Sequence, residues 1–230
     1  AAVCMKGTVL AMKKLHMKNN DTGGVLFTFC GLDGCGKTTM INRLVSELKN
    51  EYTVFLTKQP TPSVRESEIF RAYMDSPDHS SYEYRSLSLF AAADRVQHSN
   101  KVIEAEMNKG KIVISDRYFY SCLANLRARG YKKDRWIYEI AESIIKPDIS
   151  FFLDVPISEA IYRVRCRKEE QNRYIDVQLQ YNLQKEYHGI CKMNGGIMVP
   201  TGIEPDRSYE YIIKEVRKVL NKNGFQKKGL

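Results

Sequence analysis

Residues 25–39 read VLFTFCGLDGCGKTT: an apolar run, a turn holding three glycines, then a lysine and two threonines that open a helix. Gly31, Gly36, Lys37 and Thr38 fill the pattern G-x-x-x-x-G-K-[ST] between a predicted strand and a predicted helix, the context that marks a phosphate-binding loop. Gly31, Gly34 and Gly36 reach backbone angles closed to other residues. Consecutive N–H groups along Gly31, Leu32, Asp33, Gly34, Cys35, Gly36, Lys37, Thr38 and Thr39 therefore turn inward around an anion. The new helix adds its positive dipole end at the same point. Lys37 is expected to reach the β- and γ-phosphates of a nucleotide, and the Thr38 hydroxyl to hold Mg²⁺.

Outward from the loop, the chain alternates apolar strands and amphipathic helices, the signature of an α/β fold with a parallel sheet. Strands are predicted over residues 25–30, 51–57, 111–115, 149–155 and 196–201. Helices are predicted over 38–50, 66–74, 82–109, 136–145, 158 onward, 176–192 and 206–220, with a break at Pro77. The third strand delivers Asp116-Arg117, placing a carboxylate at a strand tip beside the loop, where it orients Mg²⁺. After the fourth strand comes a basic run with Arg163, Arg165, Arg167, Lys168 and Arg173. There a lid over residues 163–174 can bring arginines onto a transferring phosphoryl group. Asp94 and Arg95 emerge from the small, apolar helix face LFAAADR, a place for a charged pair only if a ligand or partner meets it.

With 230 residues the chain suits one α/β domain, over 25–220, with a small excess for a lid. Its net charge of +9 sits mostly at the ends: residues 1–24 and 221–230 carry +3 each. A solvated basic tail at 221–230 accounts for that better than a nucleic-acid surface, so no nucleic-acid partner is expected. Residues 1–24 lack periodicity and read as an unstructured or adventitious arm. The six cysteines, Cys4 among them, form no C-x-x-C pair, which fits free thiols in a reducing cytoplasm. No run approaches the ~18 apolar residues of a membrane span.

GLDGCGKTT, LFAAADR, SDRY, KPDISFFLDVP and the basic run after it stand in an order and spacing that resemble the thymidylate kinases, a nucleoside monophosphate kinase family, over roughly residues 25–220. The resemblance implies a P-loop NTP hydrolase-like fold: a five-stranded parallel sheet with helices on both faces and a lid. It also implies ATP and Mg²⁺ as donor, a deoxynucleoside monophosphate as acceptor, and a homodimer. By the same resemblance, Asp33 approaches the acceptor sugar and the metal, and Arg117 grips the acceptor's phosphate. Arg95 contacts the base, with Pro60, Phe90 and Ser121 lining the acceptor side. Gly34 together with the lid arginines is similar to the bacterial type, with Arg167 as the catalytic arginine and Arg163 on ATP. Four positions depart from the family pattern on the acceptor side: Gln59, Ala91, Asn125 and Leu126. The phosphate machinery is therefore intact while the acceptor readers are altered. That leaves open a thymidylate kinase with a reshaped pocket or a relative with another acceptor. A deoxynucleoside kinase would want a carboxylate where Gln59 stands. A guanine-binding switch would want an acid where Lys111 ends the sequence NKGK.

Overall fold

The computed structural model describes residues 12–75, 79, 81–225 and 227. Pro77, Cys4, residues 1–11 of the arm, and positions 226 and 228–230 of the basic tail lie outside them. In chain order the elements are β1 (Val25–Gly31), α1 (Lys37–Lys49), β2 (Val54–Lys58), α2 (Pro62–Arg65), α3 (Glu68–Asp75) and α4 (Tyr84–His98). A π-turn (Ser99–Ile103), α5 (Glu104–Asn108), β3 (Ile112–Asp116), α6 (Phe119–Ala128), α7 (Trp136–Ala141) and β4 (Ile149–Asp154) follow. The chain closes with α8 (Ile157–Arg165), a 3₁₀ turn (Lys168–Glu170), α9 (Val177–Asn194), β5 (Ile197–Pro200) and α10 (Pro205–Lys222).

The five strands pair in parallel in the order β2-β3-β1-β4-β5. β1 is central and buried along its whole length, which is why its sequence is a continuous apolar run rather than an alternation. Met40, Ile41, Leu44, Val45 and Leu48 form the buried stripe of α1, as their spacing predicts. The chain folds back over the sheet on either side of β1, so the carboxyl ends of β1, β3 and β4 open a crevice, the usual ligand site of such sheets.

Three expectations are corrected. Residues 12–24 are not an unstructured arm. Leu15 is buried, and Lys18 bridges in parallel to Ile145, its N–H donating to Ile144 O at 2.9 Å while its carbonyl accepts from Lys146 N at 2.7 Å. α7 ends at Ala141 rather than residue 145: a turn follows, closed by Ile144 N on Ala141 O, and Ile145 then bridges to Lys18. The helix expected over residues 66–74 is present as α3, but the irregular loop expected before it holds one further short helix, α2, which Pro62 opens. A helix absent from the sequence reading, α6, runs from Phe119 and is buried at every position except Asn125, so it carries no amphipathic period. Among the described residues no helix is long and apolar enough to cross a membrane.

Candidate active site

The loop after β1 is shaped by its glycines. Gly34 has φ +82°, and a Cβ there would lie 2.2 Å from Ala160 O, so both backbone angle and the first turn of α8 exclude a side chain. Gly36, φ +88°, caps α1 and leaves Thr38 and Thr39 exposed on the helix's open first turn. Lys37 is buried with its ammonium at the loop mouth, donating to Leu32 O at 2.6 Å and Gly31 O at 3.1 Å. Cys35 is buried beneath it. Arg163 joins the loop from α8: its guanidinium donates to Thr201 O at 2.9 Å and lies 3.7 Å from where a Gly36 side chain would begin.

β3 brings in Asp116 and Arg117. Asp116 pairs with Lys58 at 3.2 Å, as the β2–β3 register places those residues side by side. Its other oxygen, Oδ1, is buried without a partner, a costly arrangement that a cation would relieve. Thr38 and Asp116 line one cavity of about 360 Å³ with Lys58, Leu56 and Asn42. Among the described residues no trio of His, Cys, Asp or Glu forms a metal cage. Thr38 plus one strand-tip carboxylate nevertheless fit Mg²⁺, an ion held by few protein ligands and by substrate phosphates.

Arg117 sits at φ +66°, a conformation that costs a non-glycine residue of order 1–3 kcal/mol and is tolerated where function requires it. Its backbone is held by Phe29 O at 2.8 Å and by the Ser115 hydroxyl at 2.7 Å. That strain aims the side chain into the loop. Nη2 meets Asp33 Oδ1 at 2.6 Å, while Nη1 donates to Gly31 O at 3.1 Å and Tyr187 Oη at 3.2 Å. Tyr187, from α9, donates in turn to Ser121 Oγ at 3.1 Å. The second carboxylate oxygen of Asp33 takes Arg173 Nη2 at 3.0 Å. Burial alone would raise the Asp33 pKa, but Arg117, Lys37 and Arg173 together hold its carboxyl well below the usual range.

The sequence candidates thus separate. Lys37, Asp33, Arg117, Thr38, Asp116, Arg163 and Ser121 converge on the crevice. Arg167 does not: it is turned outward and faces Glu170 at 3.4 Å, and the lid arginine that meets Asp33 is Arg173. Phe90 lies on the exposed face of α4, because the helix is regular from Tyr84 to His98 and leaves Ala91 four residues before Arg95. Arg95 is buried, donates to Ala91 O at 2.8 Å and keeps an unpaired Nε. Its neighbour Asp94 turns away to accept from Thr61 N at 2.9 Å, which parts the pair and anchors the loop holding Pro60. Gln59 is fully buried between Asp116 O and His98. Tyr187 was hidden in the sequence, since a tyrosine on an amphipathic helix carries no mark of a polar role.

A phosphate loop, a strand-tip carboxylate with an unpaired oxygen, and arginines from a strand tip and a lid define a nucleotide-dependent phosphotransferase. The match of residues 29–204 to the thymidylate kinase family model makes the class specific: this chain belongs to the thymidylate kinase family. That family moves a phosphoryl group from ATP to dTMP, giving dTDP, and the chain is a nucleoside monophosphate kinase by class. It is 36% identical over 169 residues to a probable thymidylate kinase of Thermococcus kodakarensis, covering 71% of this chain and 82% of that protein. A probable thymidylate kinase of Pyrococcus horikoshii is 34% identical over 74% of this chain and 84% of its own length. The thymidylate kinase of Prochlorococcus marinus is 35% identical over 64% and 74% respectively.

Proposed function

We propose that this chain, with Mg²⁺, transfers the γ-phosphoryl group of ATP directly to the phosphate of dTMP. The observation that carries the reading is the convergence of Arg117 and Arg173, from two separate segments, on the single carboxylate of Asp33 in a phosphate loop whose mouth holds the buried ammonium of Lys37. Both reactants are highly anionic, so catalysis here is positioning and charge neutralisation. Loop N–H groups, Lys37 and Arg163 hold ATP. Thr38 and Asp116 hold Mg²⁺, which when bound draws charge from the β- and γ-phosphates. Arg117 grips the acceptor phosphate, Arg95 faces its base, and Arg173 meets the transferring group.

An acceptor phosphate is already ionised near neutral pH, its second pKa being about 6, so no base is needed. That favours a monophosphate acceptor over a nucleoside. At the tip of β2 stands Gln59, tied to His98 rather than a free carboxylate, and Asp33 is committed to two arginines. Arg117→Ala should raise the KM for dTMP about 10–100-fold, the loss expected for a charge-assisted phosphate contact, while ATP affinity changes little. An unchanged KM for dTMP would remove Arg117 from acceptor binding.

The family habit of pairing and two large apolar side chains, Leu89 and Phe90, on the outer face of α4 support a homodimer through that helix. Leu89→Glu should convert the dimer to monomer in light scattering, and a monomeric parent chain contradicts the assignment. Cys30, Cys35, Cys122, Cys166 and Cys191 are free thiols, in keeping with a reducing cytoplasm.

A further inference from the structure

α6 sets Ser121, Asn125 and Arg129 (just beyond its end) at four-residue intervals, a stripe spanning about 12 Å of helix axis. Its Ser121 end is the phosphate end, tied through Tyr187 to Arg117. Across from it α4 presents Arg95, Ala91, Ser88 and Tyr84 on one face. The two faces are locked near the middle by Ser88 Oγ and Cys122 Sγ at 3.5 Å. At the far end the Arg129 guanidinium lies 4.0 Å over the Tyr84 ring. This seam runs away from Arg117 for roughly the length of a nucleoside monophosphate, with Asn125 between its two ends.

The hydrogen bonds at that end fix one polarity. Arg129 Nη1 donates to Asn125 Oδ1 at 2.8 Å and to Asn125 O at 3.2 Å, while Nε donates to Tyr73 Oη at 3.0 Å. A guanidinium has donors only, so the atom of Asn125 that faces it must be the carbonyl oxygen. Asn125 Nδ2 donates to Ser121 O at 2.8 Å, and that partner is an acceptor only. Both neighbours therefore demand the same orientation of the amide, which removes the usual ambiguity between its O and N. One Nδ2–H is left over, on a side chain that stays partly exposed.

We propose that Asn125 reads the acceptor base through this remaining N–H, and that Arg129 is the positioning residue that holds the amide in that sense. At the 4-position of the base, this N–H selects the O4 carbonyl of thymine or uracil over the N4 amino group of cytosine, where donor would meet donor. This rests on the acceptor pocket proposed above. Tyr73 and Tyr84 serve as the frame that keeps the Arg129 fork in place.

The test compares kcat/KM for dTMP, dUMP and dCMP, with Mg-ATP, in the parent chain, Asn125→Asp, Arg129→Met and Arg129→Lys. Asn125→Asp removes the N–H yet keeps a partner for Arg129; it should cut the dTMP:dCMP ratio about ten-fold or more, chiefly through the KM for dTMP. Arg129→Met frees the amide to turn and should lower the same ratio by a similar factor of about ten, while Arg129→Lys, still a donor to Oδ1, recovers most of it. ATP binding by each variant reports whether the fold survives, and Asn125→Asp carries the test if Arg129→Met does not fold. A ratio unchanged to within about two-fold in Asn125→Asp, with the parent active on dTMP, overturns the inference, as does an equal loss on dTMP and dCMP. A parent inactive on every monophosphate instead overturns the acceptor reading beneath it.

Discussion

Lys37→Ala is expected to lower kcat for dTMP phosphorylation by about 10²–10³ or more, the range found when one preorganised donor to a developing charge is removed. The ammonium is buried at the loop mouth and held by two carbonyl oxygens, Gly31 O and Leu32 O, of the loop it serves. Water cannot replace it there at low cost, and no other cation in the loop stands at that point. Truncation leaves Gly31 O and Leu32 O without this donor, so the stability of the variant is measured along with its rate. Initial rates in a coupled ADP assay, with a thermal melt beside them, make the comparison. A loss smaller than about ten-fold in a folded variant would mean that the loop does not hold the transferred phosphate as described.

Arg173→Ala should cost at least as much, about 10³ in kcat, the lower end of what an arginine on a transferring phosphoryl group supplies. Its guanidinium already reaches across the lid to Asp33, 3.0 Å away and beside Arg117. Arg167→Ala should be the milder change by about ten-fold or more, since that side chain faces Glu170 on the outer surface of the lid. KM for ATP should move little in either variant. The reverse order of severity would return the catalytic part to Arg167.

The contrast between these two arginines shows where reading the sequence stops. The phosphate loop is legible because anion binding demands glycines, a lysine and a hydroxyl at fixed offsets along one strand-turn-helix segment. Asp116 is legible for a similar reason, since a strand that ends in Asp after such a loop has one place to point. Arg173 is not, because the chain leaves α8 at Arg165, passes through a 3₁₀ turn and returns, and no helical period relates Arg173 to Arg167. α6 escaped because it is buried nearly all round, which erases the period that marks a surface helix. Residues 12–24 looked structureless because their contacts are backbone pairing to Ile144 and Lys146 and single side chains such as Leu15, which leave no repeat in the sequence. On the acceptor side Ala91 and Asn125 were visible as departures. What Asn125 offers a ligand depends on Arg129, four residues on, and on a tyrosine more than fifty residues away.

The central claim is that this phosphate loop, with Arg117 and Arg173, serves phosphoryl transfer between two nucleotides. The most direct measurement is product formation after incubation of the protein with Mg-ATP and a panel of nucleosides and nucleoside monophosphates, separated by ion-exchange chromatography. dTDP and ADP are expected in equal amounts from dTMP, with no product from thymidine. Tight nucleotide binding without a diphosphate product from any monophosphate would contradict it.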